Sequence, residues 1–173
     1  MLRTHSYTTR ARTRARFPRE TSSCYLFLHL TTMTIIFDFN RTLFDPETDA
    51  LLEGAALVLA TYQSEGKELH LISRKEKDRD GTLDRLGIRE FFASVSFVED
   101  KHEALRLRIG SSTGPVYVIG DHLHTEIRFG NRYGAKTVWL KRGRFSHLLP
   151  ETDEDIPWRT IGSLEELNDL TLD

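Results

Sequence analysis

From Thr34 onward, short apolar runs rich in β-branched residues alternate with longer stretches of helical period, the pattern of βαβ units laid on a parallel sheet. The runs predict strands over Thr34 to Phe39, Glu68 to Ile72, Ser94 to Val98, Val116 to Ile119 and Lys136 to Leu140. Between them, Thr48 to Glu65 sets Leu51, Leu52, Ala55, Leu59 and Tyr62 near helical spacing, and Gly66 follows where a helix should stop. Lys75 to Leu86, Lys101 to Ile109 and Leu123 to Tyr133 likewise run into Gly87, Gly110 and Gly134. Ser163, with Glu166 three residues on, has the capping-box pattern that opens a short last helix. The acidic stretch from Pro150 to Pro157 reads as a surface loop. Together these elements predict an α/β fold, a Rossmann-like doubly wound parallel sheet in three α/β/α layers.

Composition narrows this to one domain. A chain of 173 residues with 39% apolar content can bury one core, at roughly 150 residues per domain. The single cysteine, Cys24, excludes a disulfide framework or a cysteine-based zinc cluster. No apolar run approaches the ~20 residues needed to cross a bilayer, so a soluble, cytoplasmic chain is expected. The net charge of −2 is uneven, because residues 1 to 33 hold six arginines against one acid, Glu20. That head has too few large apolar residues to offset its ordering entropy. Residues 1–32 are therefore expected to be a disordered arginine-rich extension, and 33–173 the α/β domain. The extension admits three readings: an organelle-targeting leader, a basic arm for phosphate backbones, or translated sequence upstream of Met33. Only Tyr7 and Phe17 could stack on bases, and no nucleic-acid module follows, so nucleic acid is not the expected partner.

In doubly wound sheets the chemistry gathers where the carboxyl ends of the strands meet. Asp38, Asn40 and Thr42 lie there after the first strand, Ser73 and Arg74 after the second, Lys101 beyond the third and Asp121 after the fourth. Convergence of Asp38, Ser73, Lys101 and Asp121 suits phosphoryl chemistry: acidic oxygens hold a hard cation such as magnesium, while an ammonium and a hydroxyl receive phosphoryl oxygens.

The run IIFDFNRTLFD, residues 35–45, resembles the first motif of the haloacid dehalogenase-like (HAD) hydrolases. The remaining motifs follow in family order, with LISR supplying Ser73, then Lys101, then GDHLHTE at 120–126. The stretches GNRYGAKTVWLKRG and WRTIGSLEEL resemble the end of that fold, so the likeness covers about Met33 to Leu170. It implies that Asp38 is a nucleophile forming an aspartyl-phosphate, that Ser73 and Lys101 hold the phosphoryl oxygens, and that Thr42 and Arg74 lie on the substrate side. It also implies magnesium on Asp38, Asp121 and the Asn40 carbonyl, with Glu126 just outside that shell.

Two departures from the family pattern matter. Asn40 stands where the phosphatases carry an acid–base Asp, and such a loss removes ~10²- to 10⁴-fold of rate. The spacings from Asp38 to Ser73 and from Ser73 to Lys101 are filled by the predicted elements, which leaves no room for a large cap and favours a bulky phosphorylated substrate or a partner chain. Two functions are carried forward: a magnesium-dependent phosphatase made slow or specialised by Asn40, and a catalytically impaired module that binds a phosphorylated ligand or protein. The absence of GxxxxGK[ST], and a GNRYG that is not the dinucleotide fingerprint, exclude the common nucleotide-binding loops. His122 and His124 lack a third nitrogen or sulfur ligand and are expected outside any metal shell. Arg79 is expected on a solvated helix face with Lys75 and Lys77, and Trp139 and Trp158 in packing.

Overall fold

The computed structural model describes residues 31–170; residues 1–30 of the expected arginine-rich extension lie outside the described residues. The main sheet has six parallel strands in the order β5-β4-β1-β6-β7-β8, where β1 is Thr34–Phe37, β4 Glu68–Arg74, β5 Ser94–Val98, β6 Val116–Gly120, β7 Lys136–Leu140 and β8 Arg159–Ile161. Five of these match the apolar runs, and the sixth, β8, adds an edge that the sequence pattern did not single out. A separate antiparallel pair, β2 (Phe44–Asp45) and β3 (Ala50–Leu51), follows β1.

Burial on both faces explains why the strands read as continuous apolar runs. In β1, Ile35 and Phe37 point into a layer with Leu59, Leu83 and Leu167, while Ile36 points the other way onto Leu105 and Ile109. The first layer belongs to α1 (Ala55–Ser64), α2 (Arg79–Arg85) and the closing 3₁₀ turn; the second to α3 (Lys101–Ser111) and α4 (Arg128–Arg132). Ile35 and Phe37 are fully buried, each contributing about 1.5–3 kcal/mol through removal from water. The Tyr62 hydroxyl donates to the Leu167 carbonyl at 2.8 Å and ties α1 to the end of the domain.

Several predicted boundaries move. The helix expected from Thr48 begins only at Ala55, because Asp45 accepts from the Glu47 amide at 2.9 Å and Asp49 takes a positive φ of 54°, turning the chain into the β2–β3 hairpin. α2 starts at Arg79 rather than Lys75, and α3 runs through Gly110 to Ser111. The stretch expected as one helix from Leu123 opens with a wide π turn, Leu123–Ile127, before α4. The last helix is a 3₁₀ turn, Glu165–Asp169, in which Glu166 accepts from the Ser163 amide at 3.0 Å, the back-bond that the capping pattern implied. No helix among the described residues is long and apolar enough to cross a membrane.

The acidic stretch 150–157 is more than a surface loop. Its Asp155 is fully buried and accepts from Arg128 Nε at 2.8 Å, Arg128 Nη2 at 2.9 Å and the Glu151 amide at 2.9 Å. The Arg128 hydrogen bonds, with those from the Glu151 and Thr152 amides, hold Asp155 far below the usual carboxylate range despite its burial. A depressed folded pKa contributes stability that is present above the unfolded value of 3.8 and is lost as the pH falls through the folded one. Asp155→Asn is therefore expected to lower unfolding free energy by about 2 kcal/mol at pH 7. Urea denaturation of both proteins checks this, and the deficit should shrink as the pH falls below 3.8.

Candidate active site

The sheet order sets the position of the site. The chain leaves β1 toward β4 and β5 on one side and later returns to β6 on the other, so the carboxyl ends of β1 and β6 flank the point where strand order reverses. Asp38 and Asp121 each stand one residue past the end of those strands, and the Asp38 amide donates to the Ile119 carbonyl at 3.0 Å. Ser73 sits on β4 itself, paired in register with Phe97, because that strand runs two residues further than its apolar run. Lys101 is the first residue of α3, whose N-cap Asp100 accepts from the His102 amide at 2.8 Å.

All four meet at a cleft of about 210 Å³, joined by Asn40, Arg74 and Glu126. Lys101, almost wholly buried, donates to Asp38 Oδ1 and, at 2.5 Å, to Glu126 Oε1. Burial alone would lower its pKa; the two carboxylates beside it reverse that and hold it above the ordinary lysine range. Thr42 does not line the cleft. It is fully buried and donates to Asp38 Oδ2 at 3.3 Å, fixing that carboxylate from behind.

Glu126 reaches Lys101 because it is carried on the π turn and because Gly120 lies beneath it: a Cβ at 120 would stand 2.6 Å from Glu126 Cβ. Trp139 contributes more than packing, since its indole donates to the Asp121 carbonyl at 3.0 Å. Trp158 packs edge-on against Tyr117, as expected.

Sequence reasoning missed other members. Arg41 donates from Nε to Asp121 Oδ2 at 2.9 Å, with its guanidinium 4.8 Å from the Phe145 ring. It does so from a left-handed backbone, φ 59°, in the turn where Phe39 O accepts from the Leu43 and Phe44 amides. Only its position inside the first motif could have flagged it. Arg79, expected in solvent, is buried: it donates to Asn40 Oδ1 at 2.7 Å, pairs with Glu76 and lies 5.1 Å from the Phe39 ring. Glu76 in turn accepts from Asn40 Nδ2 at 2.9 Å.

The charge balance favours a further cation. Burial pushes Asp38 above the ordinary carboxylate range, although Lys101 pulls the other way. Burial, then the charges of Asp38 and Glu126, push Asp121 up to about 7, with Arg41 opposing. Glu126 Oε2 is buried without a hydrogen-bond partner. Hard oxygen donors that repel one another in a buried cleft fit a divalent ion such as magnesium, which would lower all of these costs. A tighter set lies elsewhere: His124, Glu151 and Asp155 place ligand atoms within 4.8 Å of one another, supplying in space the partners that His124 lacks in sequence. Arg128 already neutralises both of its acids, so that cluster is a structural ion pair. His122 lines the cleft, its pKa lowered by burial and then by His124 and Lys101.

Comparison with solved structures bears on the fold. The chain resembles the HAD-hydrolase YfnB from Bacillus subtilis bound to magnesium, with a TM-score of 0.64 at 15% identity over 80% of this chain and 97% of that one. It also resembles the D,D-heptose 1,7-bisphosphate phosphatase of B. bronchiseptica complexed with magnesium and phosphate, with a TM-score of 0.58 at 14% identity over 80% of this chain and 99% of the other. The fold is that of the HAD-like hydrolases. The sequence model of the HAD-hydrolase-like family matches residues 97–167. A glyceraldehyde 3-phosphate phosphatase from Methanopyrus kandleri is 35% identical over 98 residues, covering 51% of this chain and 42% of that protein. The chain thus aligns with less than half the length of that relative.

Removing Lys101 leaves buried carboxylates uncompensated, a change that typically costs about 3–5 kcal/mol. Lys101→Met is expected to lower the unfolding free energy by an amount in that range, measurable by urea denaturation at pH 7.

Proposed function

We propose that this protein is a magnesium-dependent phosphatase that hydrolyses a phosphomonoester through an aspartyl-phosphate on Asp38. The observation that carries this reading is the pairing of Asp38, buried at the end of β1, with Lys101 at the start of α3, in a cleft that Ser73 and Asp121 also line. Thr42 and Lys101 hold one oxygen each of Asp38, which fixes the carboxylate as a nucleophile with a defined direction of attack. The Ser73 hydroxyl and the Lys101 ammonium receive phosphoryl oxygens as charge builds on them, and Arg74, exposed at the rim, meets the substrate phosphate on entry. Asp38, Asp121 and the Asn40 carbonyl are the groups that would hold magnesium, which when bound supplies electrostatic stabilisation to the transferring phosphoryl group. Glu126 keeps Lys101 in place from the far side.

The relative's activity on glyceraldehyde 3-phosphate supports a small phosphorylated substrate. The short β2–β3 hairpin, in place of a long insertion after β1, supports a cleft without a cap, open also to a phosphorylated macromolecule. Asn40 favours a second reading, in which the cleft binds a phosphorylated ligand or protein without turnover, since an amide can neither give nor take the proton of an ester cleavage.

Phosphate release from a triose phosphate, an aryl phosphate and a phosphopeptide, each with and without magnesium, tests the proposal. Magnesium-dependent turnover is expected, falling by at least about 10³-fold in Asp38→Asn, with acid-stable labelling of the wild-type protein absent from the variant. Binding of these ligands with no turnover and no labelling would instead establish the binding module.

A further inference from the structure

We infer that Arg41 anchors a second anionic group of the substrate, so that the small molecule taken here carries a phosphate or carboxylate beyond the phosphomonoester itself. The inference rests on the reading of the cleft as a phosphoryl site and names the class of substrate that the cleft takes. Arg41 stands in a left-handed backbone, φ 59°, that a glycine would adopt freely and an arginine does not favour. The contacts of its side chain offset that strain. Its Nε donates to Asp121 Oδ2 at 2.9 Å and its guanidinium lies 4.8 Å from the Phe145 ring, which fixes its direction at two points. Among the described residues no hydrogen bond engages its Nη1 or Nη2. An arginine held through Nε alone keeps the end of its planar fork for two oxygens of one anion.

Arg41 also lines a second cavity, of about 170 Å³, beside the cleft, and Arg142 and Arg144 stand on its wall. Both come from the loop after β7, which the Lys141 amide anchors to the Ile161 carbonyl at 2.8 Å. A 3₁₀ turn over Gly143–Phe145 brings the Arg144 guanidinium to 5.6 Å from the same Phe145 ring that Arg41 meets. Among the described residues neither Arg142 nor Arg144 forms an ion pair. The carboxylates facing these three guanidiniums are Asp45 and Glu47. Asp45 is turned to its own loop, accepting from the Glu47 amide at 2.9 Å, and Glu47 is exposed. The cavity therefore keeps an excess of positive charge, and guanidiniums drawn to one ring repel each other until an anion joins them.

The two cavities meet at Arg41 and seat a molecule with two anionic ends. Its phosphoryl end enters the cleft beside Ser73 and Lys101, and its second anion lies on the far side of the Arg41 fork, toward Arg142 and Arg144. Because Asp121 holds Arg41 in place, the second anion is read by a group already positioned, at little cost in ordering.

Alkyl phosphates of graded chain length, each ending in a methyl, a phosphate or a carboxylate group, test this on the full chain in magnesium buffer. Phosphate release gives kcat/KM, and calorimetric titration of the matching phosphonates gives affinity without turnover. At the best chain length a two-headed ligand is expected to exceed its methyl-ended counterpart by at least about tenfold in both measurements. The end group with the larger gain distinguishes a phosphate from a carboxylate. Arg41→Met should remove most of that preference. So should Arg142→Met combined with Arg144→Met, a change that leaves the Arg41–Asp121 pair in place. A purely structural role would lower the values for all ligands together and keep the preference, so a preference undiminished in either variant overturns the inference. Equal handling of one-headed and two-headed ligands by the unaltered chain, with Asp38→Asn inert, also overturns it and leaves the phosphatase reading standing. If the unaltered chain releases no phosphate from any ligand yet binds the two-headed phosphonates preferentially, the phosphatase reading fails and the second anion site stands.

Discussion

The site is organised by one buried ammonium. Lys101 enters from the first turn of α3 and is shared between Asp38, beyond β1, and Glu126, on the turn after β6. Taking these groups out of water costs several kcal/mol each, and only their mutual proximity returns that cost. The pairing demands that α3 begin beside the ends of β1 and β6, which the central place of β1 in the strand order provides. It also demands a close approach of Glu126 to the strand below, which the missing side chain at Gly120 permits.

Around this centre the charge is deliberately unbalanced. Asp38, Asp121 and Glu126 face Lys101 and Arg41, and both aspartates sit above their ordinary pKa because burial and neighbouring charge oppose ionisation. An arrangement of this kind costs stability and fits the divalent cation and phosphorylated substrate proposed for the cleft. Its supports lie outside the cleft, where the Trp139 indole fixes the Asp121 carbonyl and Arg128 pins the acidic loop through Asp155.

The sheet, and the convergence of Asp38, Ser73, Lys101 and Asp121 on one candidate site, were legible because each follows from a local pattern. Strands buried on both faces read as unbroken apolar runs, and Asp38, Ser73, Lys101 and Asp121 stand at or near their ends. Other features depend on partners far along the chain. Arg41 meets Asp121 and Arg79 meets Asn40, neither pair adjacent in sequence, so a run of basic residues looked like a solvated face when one of its members was buried against Phe39. Leu51 and Leu52 fitted a helical period, yet the turn chemistry of Asp45 and Asp49 ahead of them closed a hairpin instead. Thr42 carried a motif position and was assigned to the substrate side, whereas burial turned its hydroxyl onto Asp38.

The proposed phosphatase activity requires the carboxylate cluster beside Lys101 to take a divalent cation. Calorimetric titration of magnesium into the full chain and into Asp121→Asn tests it most directly. Saturable binding of one ion by the unaltered chain, weakened at least tenfold in the variant, is the expected result. Equal affinity in the two proteins, or no heat of binding in either, would contradict it.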